Sequence, residues 1–194
     1  MVVAAFDFDG TITRRDTFNA FLAWWFGWPA LTLTMARHGR LLAKYARGLA
    51  SNHEIKEALF GPLVAGIEAR VFEDRCRRFA GEAIPGLVRP AALECIRKHL
   101  DAGDRVIVVS ASIEDWITPW CRAQGIAEVV ATRVEVADGK LTGRFSTPAC
   151  YGQEKVNRLR QILPTDCRLV AYGDSRGDRE LLALAHQGFY RAFH

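Results

Sequence analysis

No C-x-x-C pair occurs in this 194-residue sequence, and none of its five cysteines (Cys76, Cys95, Cys121, Cys150, Cys167) has a histidine at zinc-ligand spacing. An odd number of scattered thiols argues against both a disulfide framework and a structural zinc. His38, His53, His99, His186 and His194 show no ligand spacing either and read as surface or packing residues. No signal-peptide pattern precedes the first apolar run, so a reducing cytoplasm is the expected setting. An excess of one charge is also missing. Against 26 Lys and Arg stand 22 Asp and Glu, a net +4 that makes no case for nucleic acid as a partner and leaves a small anionic substrate open. Repeats, low-complexity tracts and long linkers are absent. With 49% apolar and 25% charged residues, disorder, collagen and coiled coil are excluded, and the length suits one domain with or without an insertion.

What is present is a change of rhythm along the chain. Val2 to Phe8 is an apolar, β-branched run stopped by Asp9-Gly10, the pattern of a strand buried on both faces. From Thr17 to Arg47 a long apolar pattern breaks at Trp28-Pro29, which predicts two helices joined near that proline. Ser51-Asn52-His53-Glu54 predicts a capping box opening a third helix, and Glu68 to Phe79 a fourth. After Ile84-Pro85-Gly86 strands return: helix Pro90 to Leu100, strand Arg105 to Val109 ending at Ser110, and helix from Ser112 towards Gln124. A β-branched stretch near Val129, a hairpin at Asp138-Gly139, helix Glu154 to Leu163, strand Arg168 to Tyr172 and helix Ser175 to Ala185 complete the pattern. The expected class is α/β, a Rossmann-like parallel sheet with an inserted α-helical cap. Residues 1–13 and 85–194 form the core in this reading, and 14–84 the cap. Ligands of such sheets bind outside the carboxyl ends of the strands, which singles out residues 7–11, 110–112 and 173–178.

Asp7-Phe8-Asp9-Gly10-Thr11 sets two carboxylates two residues apart where a strand ends, facing one crevice. Their repulsion is relieved by a hard divalent cation, and Mg²⁺ takes such carboxylates together with water and phosphate oxygens. One carboxylate can then attack phosphorus while the other handles the proton of the leaving alcohol; an ordinary Asp-Gly turn is the plain alternative. Ser110 offers a hydroxyl at a second strand end, beside amides that can cup an anion, or simply a cap. Ser112 suits the N-cap of a helix starting at Ile113 and is assigned no chemistry. Lys155 lies in a first helical turn, where a cation opposes the helix dipole, so it is either solvated or faces an anion. Asp174 and Asp178 follow the last strand; in the plain reading one caps a helix and the other faces solvent.

Acid pair, hydroxyl, lysine and acid pair, in that order from Asp7 to Asp178, resemble the haloacid dehalogenase superfamily of phosphatases. The resemblance implies that Asp7 is the nucleophile forming an aspartyl-phosphate and that Asp9 is the general acid, then the base for water attack. It implies Mg²⁺ held by Asp7, the backbone carbonyl of Asp9, and Asp174, with Gly10 and Thr11 supporting the motif. Ser110 and Lys155 would bind phosphoryl oxygens, the amides of Phe8, Asp9 and Ala111 would add donors, and Asp178 would sit behind the metal or orient Lys155.

A helical insertion after the first motif resembles the phosphoserine phosphatase branch, although Ala111-Ser112 stands where that branch usually shows two glycines and Gly177 where it usually shows Asn. Asp16, Arg47 and Lys56 are the candidate substrate contacts of the cap. Thr17 to Ala36 runs twenty residues without a charge and contains Trp24, Trp25 and Trp28, while residues 37–60 hold five basic and two acidic side chains. Tryptophans beside a basic edge suit contact with anionic lipid at the inner face of a membrane; helices packed on one another suit the same pattern. Gly27 and Pro29 argue against a simple transmembrane helix. Phe18, Phe21 and Leu22 resemble the phosphatidylglycerophosphatase C branch, so a lipid phosphate stands beside a soluble ester such as phosphoserine as the expected substrate. A catalytically silent module binding a membrane or protein is the reading from another class; a binding module has no need to gather repelling carboxylates.

Overall fold

The computed structural model describes residues 1–194. Strand β1 (Val2–Phe6) lies at the centre of a five-stranded sheet of order β3-β2-β1-β6-β7. Its companions are β2 (Arg105–Ile113), β3 (Glu128–Thr132), β6 (Arg168–Gly173) and β7 (Gln187–Tyr190), and every neighbouring pair is parallel. Val3, Ala4, Ala5 and Phe6 are fully buried, which is why an unbroken apolar run, and not alternation, builds the central strand. Helices α7 (Pro90–Asp101), α8 (Glu114–Ala123), α9 (Gln153–Arg160) and α10 (Arg179–Leu184) connect the strands. The order reverses between β1 and β6, so the crevice at their carboxyl ends is where this topology places a ligand.

Between β1 and β2 come α1 (Thr17–Phe26), α2 (Trp28–Arg37), α3 (Gly39–Ala46), α4 (Asn52–Val64), α5 (Ala69–Glu82) and the short α6 (Ile84–Leu87). The stretch expected to hold two helices holds three. Gly27 ends α1 and Pro29 sits in the first turn of α2, as expected, but a second break falls at His38, whose backbone leaves helical geometry without any proline. The capping box is present: Ser51 Oγ accepts from the Glu54 N–H at 3.1 Å, and Glu54 Oε2 accepts from the Ser51 N–H at 2.7 Å. Phe21 joins the helical segment to the sheet layer, its ring stacked on Trp116 of α8 at 4.4 Å and edge-on to Phe79 of α5 at 5.2 Å.

Three further differences from the sequence reading affect the site. β1 ends at Phe6, two residues early, because Phe8–Ile12 folds into a tight turn in which Gly10 takes φ 87°. β2 runs to Ile113, beyond Ser110, so α8 starts at Glu114 and Ser112 is not its cap. β7 extends the sheet where no strand was expected; its four residues are too few to show a period, and Phe189 stacks on Tyr172 at 5.0 Å. The hairpin forms as expected, with Asp138 and Gly139 at φ 50° and 74° between β4 (Val134–Ala137) and β5 (Lys140–Phe145). This ribbon stands apart from the main sheet and bonds to the helical segment, the Ala69 N–H donating to the Gly139 carbonyl at 2.8 Å and the Leu141 N–H to that of Ile67 at 2.9 Å. All five cysteines are free thiols.

Candidate active site

The carboxyl ends of β1, β2 and β6 meet at a cavity of about 340 Å³. Asp7, Asp9, Gly10, Ala111, Lys155 and Asp174 line it from the sheet side; Asp16, Tyr45, Asn52 and Lys56 line it from the helical segment. Lys155, in the first turn of α9, points inward and is 2% exposed. Its ammonium pairs with Asp7 Oδ1 and with Asp178 Oδ1, the latter at 2.6 Å. The other oxygen of Asp178 accepts from the Ser175 hydroxyl at 2.7 Å and from the N–H groups of Ser175 and Asp174 at 3.0 and 3.2 Å. Asp178 is therefore saturated by protein donors. Asp7 Oδ2, by contrast, is buried with no hydrogen-bond partner.

Asp174 stands across from Asp7, with the Thr11 hydroxyl 3.4 Å from its Oδ1. A Cβ on Gly10 would collide with the Asp174 carboxylate, so the left-handed glycine lets the two motifs approach. Carboxylate oxygens of Asp7, Asp174 and Asp178 lie within 4.8 Å of one another. Burial pushes the Asp7 carboxyl up to about 8, against the pull of Lys155. Burial likewise raises Asp9, with Asp16 adding to it and Lys56, Ser112 and Thr17 opposing, and it raises Asp174, with Asp178 adding to it. For Asp178 burial is outweighed by Lys155 and the Ser175 donors, which hold it below the usual carboxylate range. For Lys155 the two acids overcome burial and keep the ammonium charged. One buried ammonium cannot neutralise Asp7, Asp174 and Asp178 together. An unpaired Asp7 oxygen in a cluster of three carboxylates is a donor set that fits a hard divalent cation.

The remaining residues singled out by sequence fall on both sides of the cavity wall. Ser110 is fully buried beneath it, its hydroxyl accepting from the Ser112 N–H at 3.0 Å. The Ala111 carbonyl accepts from Lys56 Nζ at 2.9 Å, and Lys56 also lies 4.9 Å from the Phe18 ring centre. Asp16 lines the cavity while capping α1, accepting from the Asn19 N–H at 2.8 Å. Arg47 ends α3 in solvent and does not reach the cavity. Lys155 and Asp178, whose plain readings were a solvated lysine and a solvent-facing acid, are both buried and paired. Arg14 and Arg15 of the loop before α1 also line the cavity, as do Tyr45, Asn52 and Tyr151, which the sequence does not single out because isolated polar residues leave no spacing signal. Ser112, assigned no chemistry, donates its hydroxyl to Asp9 Oδ2.

The haloacid dehalogenase-like hydrolase model matches residues 4–183. The chain belongs to this family. It is 36% identical over 198 residues to protein CicA of Caulobacter vibrioides, covering 99% of this chain and 86% of that one. Histidinol-phosphatase of Neisseria meningitidis serogroup C is 26% identical over 202 residues, covering 95% and 87%, and phosphoserine phosphatase of Halobacterium salinarum is 28% identical over 192 residues, covering 95% and 83%. A crystal structure of a Bordetella pertussis Tohama I protein with unknown function superposes with a TM-score of 0.81 at 27% identity, over 96% of this chain and 87% of that one. Asp7, Asp9, Asp174 and Lys155 line one crevice at the strand ends, and the Ser110 hydroxyl lies buried beneath it.

Proposed function

We propose that this hydrolase cleaves small, polar phosphomonoesters, with Asp7 as nucleophile and residues 14–84 as a cap over the site. Its class, phosphoric monoester hydrolase, follows from the family and from the phosphatases among its relatives. The mechanistic reading rests on Asp7: one carboxylate oxygen is neutralised by Lys155 and the other is free of protein donors. Attack by that carboxylate forms an aspartyl-phosphate as the bond from phosphorus to the leaving oxygen breaks. Asp9 gives the departing alcohol its proton, then takes one from the water that cleaves the acyl phosphate and restores Asp7. Asp178 acts through Lys155, holding the ammonium where it faces both Asp7 and the incoming phosphoryl group. Mg²⁺ bound by Asp7, Asp174 and the Asp9 backbone carbonyl would supply the positive charge that lets a carboxylate approach a phosphate dianion.

The cavity wall supports a polar leaving group. Arg14, Arg15, Asp16, Asn52 and Lys56 line it, and acyl chains would find few apolar partners there. Histidinol phosphate and phosphoserine, named by the relatives, each carry an amine near a primary phosphate ester, for which Asp16 and Asn52 offer acceptors. Trp24 and Trp25 are half-buried against the core, and no helix is long and apolar enough to cross a membrane. A lipid phosphate met at an anionic surface is the second reading. It rests on Trp28 and Leu33, 61% and 53% exposed on α2 ahead of Arg37, Arg40, Lys44 and Arg47.

Phosphate release is to be measured with Mg²⁺ on histidinol phosphate, phosphoserine, an aryl phosphate and phosphatidylglycerophosphate in mixed micelles, with Asp7→Asn as control. Turnover of the amino esters, abolished in Asp7→Asn, is the expected result. Turnover of the lipid alone replaces the soluble reading, and undiminished activity in Asp7→Asn overturns the mechanism.

A further inference from the structure

We propose that Ser112 is a positioning residue for Asp9, fixing the orientation in which that acid delivers its proton to the leaving alcohol. The inference rests on the reading of Asp9 as general acid. Asp9 Oδ1 accepts from the N–H and the hydroxyl of Thr17 at 2.7 and 2.6 Å. Those two donors occupy both of its lone pairs. Oδ2 accepts only from Ser112, so one lone pair stays open on a carboxyl that lines the cavity. The transferable proton of Asp9 belongs at that place.

Ser112 is fully buried, and it and Thr17 are each fixed by a further hydrogen bond. The Ser112 N–H donates to the Ser110 hydroxyl at 3.0 Å, and Thr17, which holds the other oxygen of Asp9, is itself fixed by the indole N–H of Trp116 at 3.3 Å. When Asp9 gives up its proton, the bond from phosphorus to the leaving oxygen breaks, that oxygen keeps the electron pair and takes the proton, and negative charge grows on Asp9. A hydroxyl donates more strongly to a carboxylate than to a carboxylic acid. The bond from Ser112 therefore strengthens along the reaction, which is the kind of contact that accelerates it. Glycine or alanine at 112 would have no hydroxyl to give.

Leaving-group dependence separates this role from packing, because an alkyl alcohol needs a proton to depart and a nitrophenolate does not. We would compare kcat/KM for an alkyl and a nitrophenyl phosphate, with Mg²⁺, in wild type, Ser112→Ala, Ser112→Cys, Ser112→Thr and Asp9→Asn, and record thermal melting of each. Loss of the orienting bond is expected to lower the alkyl-to-aryl ratio about tenfold in Ser112→Ala. Ser112→Cys, a near-isostere with a weak donor, moves the same way and keeps the test valid should the alanine variant melt early; Ser112→Thr restores the ratio. Equal losses on both substrates, or none, overturn the role of Ser112 while a shifted ratio in Asp9→Asn leaves that of Asp9 standing. An unshifted ratio in Asp9→Asn overturns both.

Discussion

Lys155 and Asp178, 23 residues apart in the chain, are joined at 2.6 Å inside the protein, with side chains 2% and 0% exposed. The bond runs from α9 to the turn after β6, and the same ammonium reaches Asp7 at the end of β1. Three chain segments thus share one buried charge.

Lys155→Met should therefore cost both stability and turnover. Removing one partner of a buried ion pair destabilises by about 3–5 kcal/mol, which for a chain of this size lowers the melting temperature by roughly 6–20 °C. Adding Asp178→Asn should return part of that loss, since fewer uncompensated charges remain. Calorimetry of the single and double variants checks this, and a Lys155→Met protein as stable as wild type would contradict the buried pair.

Gly10→Ala tests the approach of the first and last motifs. Gly10 sits at φ 87°, and its new Cβ would meet the Asp174 carboxylate. Strain at a left-handed position costs about 1–3 kcal/mol, and a displaced Asp174 should also weaken Mg²⁺ binding. Titration calorimetry with Mg²⁺, beside melting curves, reads the two effects separately.

Asp115, in the first turn of α8, is pushed up to about 6 mainly by burial; Glu114 and Glu73 add to the shift while its own backbone N–H and Arg133 oppose it. Between the ordinary carboxylate value and about 6 the folded protein binds this proton and the unfolded chain does not. Stability contributed by this group therefore falls as pH rises through that window, and the penalty is complete above it. Asp115→Asn should stabilise the protein at pH 7.5 by about 1–2 kcal/mol after solvent screening, a rise of a few degrees in melting temperature, with the difference gone near pH 4. A constant difference across that range would show that the carboxyl is not buried.

Local chemistry made much of this protein legible. Asp138-Gly139 specifies a tight hairpin because both residues tolerate positive φ, and Ser51 with Glu54 closes a capping box because the partners are three residues apart. The apolar run before Asp7 likewise announces a strand buried on both faces, and the rule for parallel sheets then points to the residues after it. The break at His38 and the four residues of β7 carry too weak a local preference to be read.

The sequence by itself determined the α/β class and the helical insertion and pointed to a set of acids, a hydroxyl and a lysine, because these depend on period, turn chemistry and order. Only the tertiary structure decided which of them are charged, buried and paired. Lys155 in a first helical turn reads as a solvated lysine until α9 packs it against Asp7 and Asp178. Ser112 reads as a helix cap until the three extra residues of β2 turn its hydroxyl towards Asp9, 103 positions away. The tryptophans of α1 read equally as membrane anchors or packing until Trp24 and Trp25 lean on the core. In each case the local sequence permits two environments of similar cost, and the choice is made by partners far along the chain whose approach depends on the sheet order.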